Sequence, residues 1–177
     1  MIPAFVSNMK ALQVVPLDHS ATGLDVCITV EPEALLDAVA ALDREKYLLE
    51  DVMASDLVEG FEVMYHFCLI TEPVRIALRL TEPHDAPNVP SISDIFPGAD
   101  WHERECFDFF GIIFTGHPNL YPLLLAEDFE GHPLIKCPNA RKPFSELMPS
   151  SYLVACGLAE PDKAQAPMGP AAKTVAG

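Results

Sequence analysis

The chain has 177 residues, half of them hydrophobic, and its 26 acidic residues against 11 lysines and arginines give a net charge of −15. This length fits one domain of ordinary size, and the hydrophobic share excludes wholesale disorder. The negative charge repels phosphate backbones and anionic membranes, so we expect no nucleic-acid partner. No apolar run approaches the ~18 residues that a membrane span requires, and we expect neither a signal peptide nor a direct membrane span.

The five cysteines, Cys27, Cys68, Cys106, Cys137 and Cys156, are widely spaced and include no CxxC pair. An odd number of cysteines in a chain without an export signal favours reduced thiols. The spacing also argues against a zinc or iron–sulfur site built by this chain alone. Any cluster is therefore expected to belong to a partner.

The sequence pattern predicts that residues 24–116 form a domain of the α+β class. Alternating apolar and polar residues indicate a strand from Leu24 to Val30, and a helix follows from Pro32 with apolar residues through Leu49 on one face. Alternation from Phe61 to Leu69, and again from Val74 to Leu80, predicts a β-hairpin. These elements predict a small mixed β-sheet packed with helices.

A short helix is predicted after the proline-rich residues 81–97, which favour extended chain. Asp100 is its expected N-cap, and the helix runs from Trp101 to Phe110. On this helix Arg104 and Asp108 stand four residues apart, so the spacing predicts that they can pair. Aromatic residues interleave with the charges, which favours buried or interfacial ion pairs over a fully solvated face.

Proline is frequent in residues 117–160, which we expect to form a long extended segment with little regular structure. The segment carries apolar residues that are costly to leave in water, so we expect it to wrap a partner subunit. These residues are Leu120, Leu123, Leu124, Leu125, Phe129, Leu134 and Ile135. Residues 1–23 form a separate N-terminal segment, and residues 161–177 are expected to form a flexible tail.

Three histidines, His102, His117 and His132, recur at equal spacing among acidic residues, which leaves open a stand-alone metal-dependent hydrolase. Metal ligands usually lie one helical turn apart or in tight knuckles, and these histidines do not. His117 and His132 each precede a proline, which favours extended backbone and a side chain bonded to backbone in a turn. Gly111 and Gly116 are expected at turns with positive φ. The structural interpretation is the simpler one.

The stretch PSISDIFPGADWHERECFDFFGIIFTGHPNL, followed by EDFEGHPLIK, resembles the signature of the 30-kDa subunit of respiratory complex I, the C subunit of bacterial NADH–quinone oxidoreductase. The family pattern is an ERE triplet, a D-[LMF]-[FY]-G turn, F-x-G-H-P, and D-[WF]-x-G-x-P-L. All four motifs are present, at residues 103–105, 108–111, 114–118 and 128–134. The resemblance covers roughly residues 35–138.

The resemblance implies a noncatalytic scaffold subunit in the peripheral arm of a proton-translocating complex, inactive when isolated. It implies contact with the 49-kDa-type (D) quinone-site subunit and neighbouring iron–sulfur subunits, on the cytoplasmic side of the inner membrane. It implies no cofactor, metal or catalytic residue here, with FMN and iron–sulfur clusters in the partner subunits. The implied subunit interface comprises Glu103, Arg104, Glu105, Asp108, Gly111, Gly116, His117, Pro118, Asp128, Gly131, His132 and Pro133.

Two departures from the family pattern concern lost arginines. Tyr121 and Pro122 follow the first His-Pro motif where arginines are usual, and Ile135 stands where the family reads PLRK. Because guanidinium groups bind carboxylates bidentately, the partner surface is expected to differ. A related membrane-bound hydrogenase, formate hydrogenlyase, or ferredoxin- or deazaflavin-linked complex is the alternative, although EDFEGHP favours the quinone-reducing branch. A stand-alone module for a basic partner is a further class, and it predicts salt-sensitive association.

Overall fold

The structure is a computed structural model that describes residues 2–126, 128–147 and 153–154. The predicted flexible tail, residues 161–177, lies outside the described residues. So does the last part of the predicted extended segment.

A five-stranded mixed sheet forms the centre of the fold, with the spatial order β1-β2-β5-β4-β3. The strands are β1 (Ala11–Pro16), β2 (Val26–Val30), β3 (Leu48–Asp56), β4 (Phe61–Cys68) and β5 (Arg75–Glu82). The β2–β5 pair is parallel, whereas the other neighbouring pairs are antiparallel. The predicted mixed sheet is confirmed. The predicted strand that ends at Val30 is β2, and the predicted hairpin is β4–β5.

Four α-helices accompany the sheet in the described residues: α1 (His19–Thr22), α2 (Leu35–Arg44), α3 (Ala99–Phe110) and α4 (Phe144–Leu147). Short 3-10 helices occupy Ala4–Asn8, Pro32–Ala34 and Pro138–Ala140. The α+β class is confirmed.

The predicted helix through Leu49 is wrong at its C-terminal end. Helix α2 ends at Arg44, and Lys46 adopts a left-handed φ of 66° that turns the chain out of the helix. Leu49 lies in β3 instead. The apolar spacing from Leu42 to Leu49 fits one helical face by coincidence, because helix and strand follow each other within it.

Strand β1 lies within residues 1–23, which are predicted to form a segment separate from the domain. It pairs antiparallel with β2, and Val15 is 3% exposed. Its burial pattern is irregular, with a register shift between Ala11 and Gln13, so a strict two-residue alternation does not reveal it. The sheet therefore extends further toward the N-terminus than the sequence predicts.

One face of the sheet packs against α2 and α3 to form the main core. Its side chains come from alternate positions of the central strands and from one side of each helix. They include Val26, Ile28, Val63, Tyr65, Phe67, Ile76, Leu78, Leu80, Leu35, Val39, Leu42, Cys106 and Phe110. The opposite face carries a smaller cluster to which Cys27, Ala77, Phe144 and Leu153 contribute.

Helix α3 is flanked by two short strands, β6 (Asn88–Pro90) and β7 (Ile113–Thr115), which pair in parallel. The helix begins earlier than predicted, since Gly98 is its N-cap residue and Asp100 lies inside the first turn. The expected capping role of Asp100 is therefore wrong, although an acidic residue in the first turn still favours the helix dipole. The helix ends at Gly111, whose N–H donates to the Phe107 carbonyl.

Replacement of Leu78 in β5 by alanine tests the main core. Leu78 is fully buried, so Leu78→Ala should lower the free energy of unfolding by about 2–5 kcal/mol through lost burial and a residual cavity. Leu48 is 46% exposed on β3, and Leu48→Ala should cost well under half of that. Chemical denaturation of the full chain measures both, and equal losses would contradict the assigned packing.

Candidate subunit interface

Glu103 fastens α3 to the chain that follows β6. Its side chain is fully buried, and its carboxylate accepts hydrogen bonds from Ser91 Oγ (2.6 Å) and from the Ile92 N–H (2.8 Å). Desolvation raises the pKa of Glu103 to about 7, although both hydrogen bonds act in the opposite direction. Glu103 is thus an internal support of the helix and does not present its carboxylate on the surface.

Arg104 holds the crossing segment, which is the chain after α3 at residues 117–126 and 128–136. Its guanidinium donates to the Tyr121 carbonyl (2.9 Å) and to the Pro122 carbonyl (3.1 Å), and it lies 3.8 Å from Asp100 Oδ1. The predicted pairing of Arg104 with Asp108 is wrong, because Asp108 accepts backbone N–H groups instead. The described contacts of Arg104 lie within the chain, and a desolvated pair with another subunit stays a prediction.

Asp108 anchors the same segment through three backbone hydrogen bonds. Its Oδ2 accepts the N–H groups of Leu123 (2.9 Å), Leu124 (2.7 Å) and Leu125 (3.2 Å). The side chain is only 2% exposed. Three consecutive backbone donors that lack a strand or helix partner are thereby satisfied by a single oxygen.

His117 and His132 serve the turns in which they lie. His117 Nδ1 accepts the Asn119 N–H (3.0 Å), so Nε2 carries the hydrogen and donates to the Asp100 carbonyl (3.1 Å). His132 Nδ1 donates to the Asp108 carbonyl (2.8 Å). The prediction that both histidines bond to backbone is confirmed.

The histidines do not form a metal site with acidic neighbours in the described ranges. There, no group of three or more His, Cys, Asp or Glu side chains is arranged to hold a metal ion. His117 comes within 3.9 Å of Glu103, but its Nε2 hydrogen points to a carbonyl. The hydrolase interpretation therefore finds no constellation in this part of the chain.

The motifs predicted to form an interface lie around one helix but differ in exposure. Glu103 and Asp108 are buried, whereas Arg104, Gly111, His117 and His132 are partly covered. The exposed members are Glu105, Gly116, Pro118, Asp128, Gly131 and Pro133. Gly111 and Gly116 have φ values of 71° and 87°, which confirms the expected turns. His132 ties the fourth motif to the second through Asp108, so the four motifs form one structural unit.

Large apolar side chains point outward along the segment after α3. Leu124 is 63% exposed and Phe129 is 50% exposed, and Trp101 on α3 reaches 68%. Tyr121, Leu134 and Ile135 are also exposed. The sequence indicates the apolar residues of the segment, but it does not reveal that Trp101 faces outward, because an aromatic residue among helical charges is usually buried.

Asp56 is a further anchor that sequence reasoning missed. Its side chain is fully buried at the end of β3, where it accepts the Lys136 N–H (2.7 Å) and pairs with His84 (2.8 Å) and Arg141 (2.9 Å). Burial acts to raise its pKa, but the Lys136 N–H, His84 and Arg141 together hold that pKa below its usual value. No local pattern signals this role, since two of its partners lie far along the chain.

Comparison with known proteins decides the family. The model of the family described as "Respiratory-chain NADH dehydrogenase, 30 Kd subunit" matches residues 28–143, well over half of the chain. The chain belongs to this family. The resemblance inferred from the four motifs is thereby confirmed.

None of the helices in the described ranges combines the length and apolar character needed to cross a bilayer.

Individual relatives agree with this assignment. The C subunit of the NADH-quinone oxidoreductase from Roseiflexus sp. (strain RS-1) is 43% identical over 119 residues, which cover 63% of this chain and 68% of that protein. The C/D subunit of the NADH-quinone oxidoreductase from Bacteroides fragilis is 37% identical over 127 residues, covering 64% of this chain and 24% of that protein.

A solved structure shares the fold. It is a chain of the membrane-bound sulfane sulfur reductase, an archaeal respiratory membrane complex, with a TM-score of 0.54 and 24% sequence identity. The match covers 58% of this chain and 64% of that one.

The raised pKa of Glu103 predicts a pH dependence of stability. The folded chain holds this proton up to about pH 7, whereas the unfolded chain releases it near the ordinary pKa of 4.5. The stabilisation from this proton is complete below pH 4.5 and is lost as the pH rises through about 7. Glu103→Gln, which is neutral throughout, should make the decline in unfolding free energy shallower.

Urea titrations at several pH values measure this effect. Glu105→Gln, on the exposed side of the same helix, is the matched control and should follow the unmodified chain. Burial also raises the pKa of Glu62 to about 7, so some decline remains in the Glu103→Gln variant. An unchanged pH profile in that variant would contradict the protonation of Glu103 in the folded state.

Proposed function

We propose that this chain is a noncatalytic scaffold subunit of the peripheral arm of a complex I-type NADH–quinone oxidoreductase. Its segment after α3 contacts the 49-kDa-type (D) subunit, beside neighbouring iron–sulfur subunits of the same complex. FMN and the iron–sulfur clusters belong to those partners. The complex is proton-translocating, and the chain lies peripherally on the cytoplasmic side of the inner membrane. Family membership and the names of the relatives support the assignment to this enzyme.

The observation that carries the proposed contact is an apolar surface on a backbone that is fixed in place. The side chain of Leu124 is 63% exposed while its N–H is held by the buried Asp108. A freely moving segment could turn such a side chain inward, but a pinned backbone cannot. Exposed apolar side chains on a pre-ordered segment favour association, because little conformational entropy remains to be lost on binding.

The proposed D-type partner is supported by one relative in particular. The Bacteroides fragilis protein carries the name of a C/D subunit, and the region similar to this chain makes up 24% of its length. Two functions named together in one polypeptide are expected to lie side by side. By analogy, the separate chain docks on a separate D-type subunit.

The scaffold role is supported by the hydrogen bonds that the titratable side chains near α3 make to the backbone of this chain. Glu103, Asp108, His117 and His132 each bond to groups that hold turns or loops of this chain. A general acid or base needs a partner at the reacting group, and these side chains are directed into the protein. We therefore infer that the isolated chain is inactive.

The related class of complex remains the second candidate because the fold is not confined to NADH–quinone oxidoreductase. The fold recurs in an archaeal sulfane sulfur reductase, whose name describes a respiratory membrane complex other than NADH–quinone oxidoreductase. An equivalent subunit of a membrane-bound hydrogenase, formate hydrogenlyase, or ferredoxin- or deazaflavin-linked complex would have the same docking segment. The co-purifying subunits distinguish the two.

Co-purification tests the proposal directly. The full chain is tagged at its C-terminus and expressed in its source cells, native membranes are solubilised gently, and the recovered proteins are identified by mass spectrometry. We expect a D-type subunit and iron–sulfur subunits in stoichiometric amounts, with a flavin-containing NADH-oxidising subunit if the enzyme uses NADH. Recovery of the chain alone with bound metal would overturn the scaffold role in favour of the hydrolase.

A substitution at Leu124 tests the docking segment in the same experiment. Leu124→Asp places a charge on the exposed side chain while leaving the backbone bond to Asp108, so the recovery of the D-type subunit should fall about tenfold or more. Leu48→Asp, on the edge strand β3, is the matched control and should recover the partner normally. Equal recovery with both variants would contradict the proposed position of the interface.

A further inference from the structure

An open cavity of about 230 Å³ lies between α3 and the segment that crosses it. Apolar and polar groups both line it, and the apolar part comes from Phe107, Phe129, Pro122, Leu125 and Ala126. Asp108, Gly131 and His132 complete the lining, and Asp108 is its one carboxylate. Such a combination of apolar walls with one carboxylate is typical of a pocket that receives a long cationic side chain.

Only one of the two carboxylate oxygens of Asp108 accepts hydrogen bonds from the residues that the structure describes. Its Oδ2 accepts the backbone N–H groups of Leu123, Leu124 and Leu125. Its Oδ1 is buried and has no hydrogen-bond partner among the residues that the structure describes. A buried carboxylate oxygen without a donor destabilises the protein that contains it, so a donor that reaches Oδ1 gains binding free energy by relieving this cost.

The helix does not supply that donor itself. Arg104 precedes Asp108 by one turn, but its guanidinium is directed to the Tyr121 and Pro122 carbonyls. His132 Nδ1 donates to the backbone carbonyl of Asp108 and not to its side chain. The partner of Oδ1 must therefore come from outside these neighbours.

We propose that an arginine of the D-type partner subunit enters this cavity and donates to Asp108 Oδ1. This inference rests on the proposed function and specifies the chemistry of its interface. A guanidinium is planar and stays charged, and it stacks on aromatic faces, which fits the rings of Phe107 and Phe129. The net charge of −15 on this chain further favours a basic partner side chain.

The pocket is already ordered before the arginine arrives. Asp108 is fixed by three backbone donors, and the crossing segment is fixed by Arg104 at Tyr121 and by His132, which lines the cavity. The arginine thus meets an acceptor whose position is set in advance, which reduces the entropic cost of binding.

The first test fills the cavity and leaves Asp108 unchanged. Ala126 is exposed and lines the pocket, so Ala126→Phe should exclude the arginine stem while the hydrogen bonds of Asp108 persist. The matched control is Ala86→Phe, at an exposed alanine of the β5–β6 connection. The readout is the concentration of purified chain that half-maximally captures the D-type subunit from solubilised membranes lacking the native chain.

We expect Ala126→Phe to raise this concentration by about 30-fold and Ala86→Phe to leave it unchanged. Asp108→Asn is the second variant. Its amide oxygen can still accept the three N–H groups, but its NH₂ group replaces Oδ1 and repels a guanidinium. Capture should weaken by a similar factor, while the full chain stays folded at the assay temperature, although the uncharged amide should lower its unfolding temperature because it binds the three N–H groups less strongly.

The outcomes separate this inference from the function on which it rests. If the unmodified chain captures no D-type subunit, the proposed function fails and the inference fails with it. If the unmodified chain and both cavity variants capture it equally, only the inference is overturned. Weakened capture by Asp108→Asn combined with normal capture by Ala126→Phe would assign Asp108 a purely structural role and would also overturn it.

Discussion

Buried carboxylates that accept backbone N–H groups hold this structure together beyond its sheet. The segment after α3 is rich in proline and forms few ladder or helix bonds, yet its donors must still be satisfied where water is excluded. Asp108 receives three consecutive N–H groups and Asp56 receives the Lys136 N–H, and both carboxylates are buried. Part of the acidic character of the chain is therefore internal and serves as a set of attachment points.

The same interactions explain how a segment without regular structure can offer a defined surface. The sheet and α3 form a packed support, and the carboxylates transfer its rigidity to the crossing chain. The exposed side chains of Leu124 and Phe129 consequently point outward from fixed backbone positions. The buried family motifs act within the chain, whereas the exposed motifs and apolar side chains remain free to meet another subunit. This division fits the scaffold role that we propose.

The sequence predicts elements whose signals are local. The β4–β5 hairpin alternates cleanly, α3 ends at a glycine, and two His-Pro pairs indicate turns, and all of these are confirmed. Strand β1 is missed because its burial pattern is irregular, and α2 is extended too far because β3 continues its apolar spacing. The Arg104–Asp108 pair fails because helix spacing describes an exposed surface, whereas tertiary donors compete for both side chains. Asp56 is not predictable locally, since Lys136 lies 80 positions away.

That long separation also has a consequence for the order of events during folding. The carboxylate of Asp56 can bind the N–H of Lys136 only after the chain has been synthesised 80 positions further and the strand that carries Asp56 has joined the sheet. The chain at Lys136 and Arg141 is thus fastened late, whereas Leu124 is held by Asp108, only 16 positions earlier. A nascent chain can therefore order the part of this surface nearest α3 before it fastens the part that reaches back to β3.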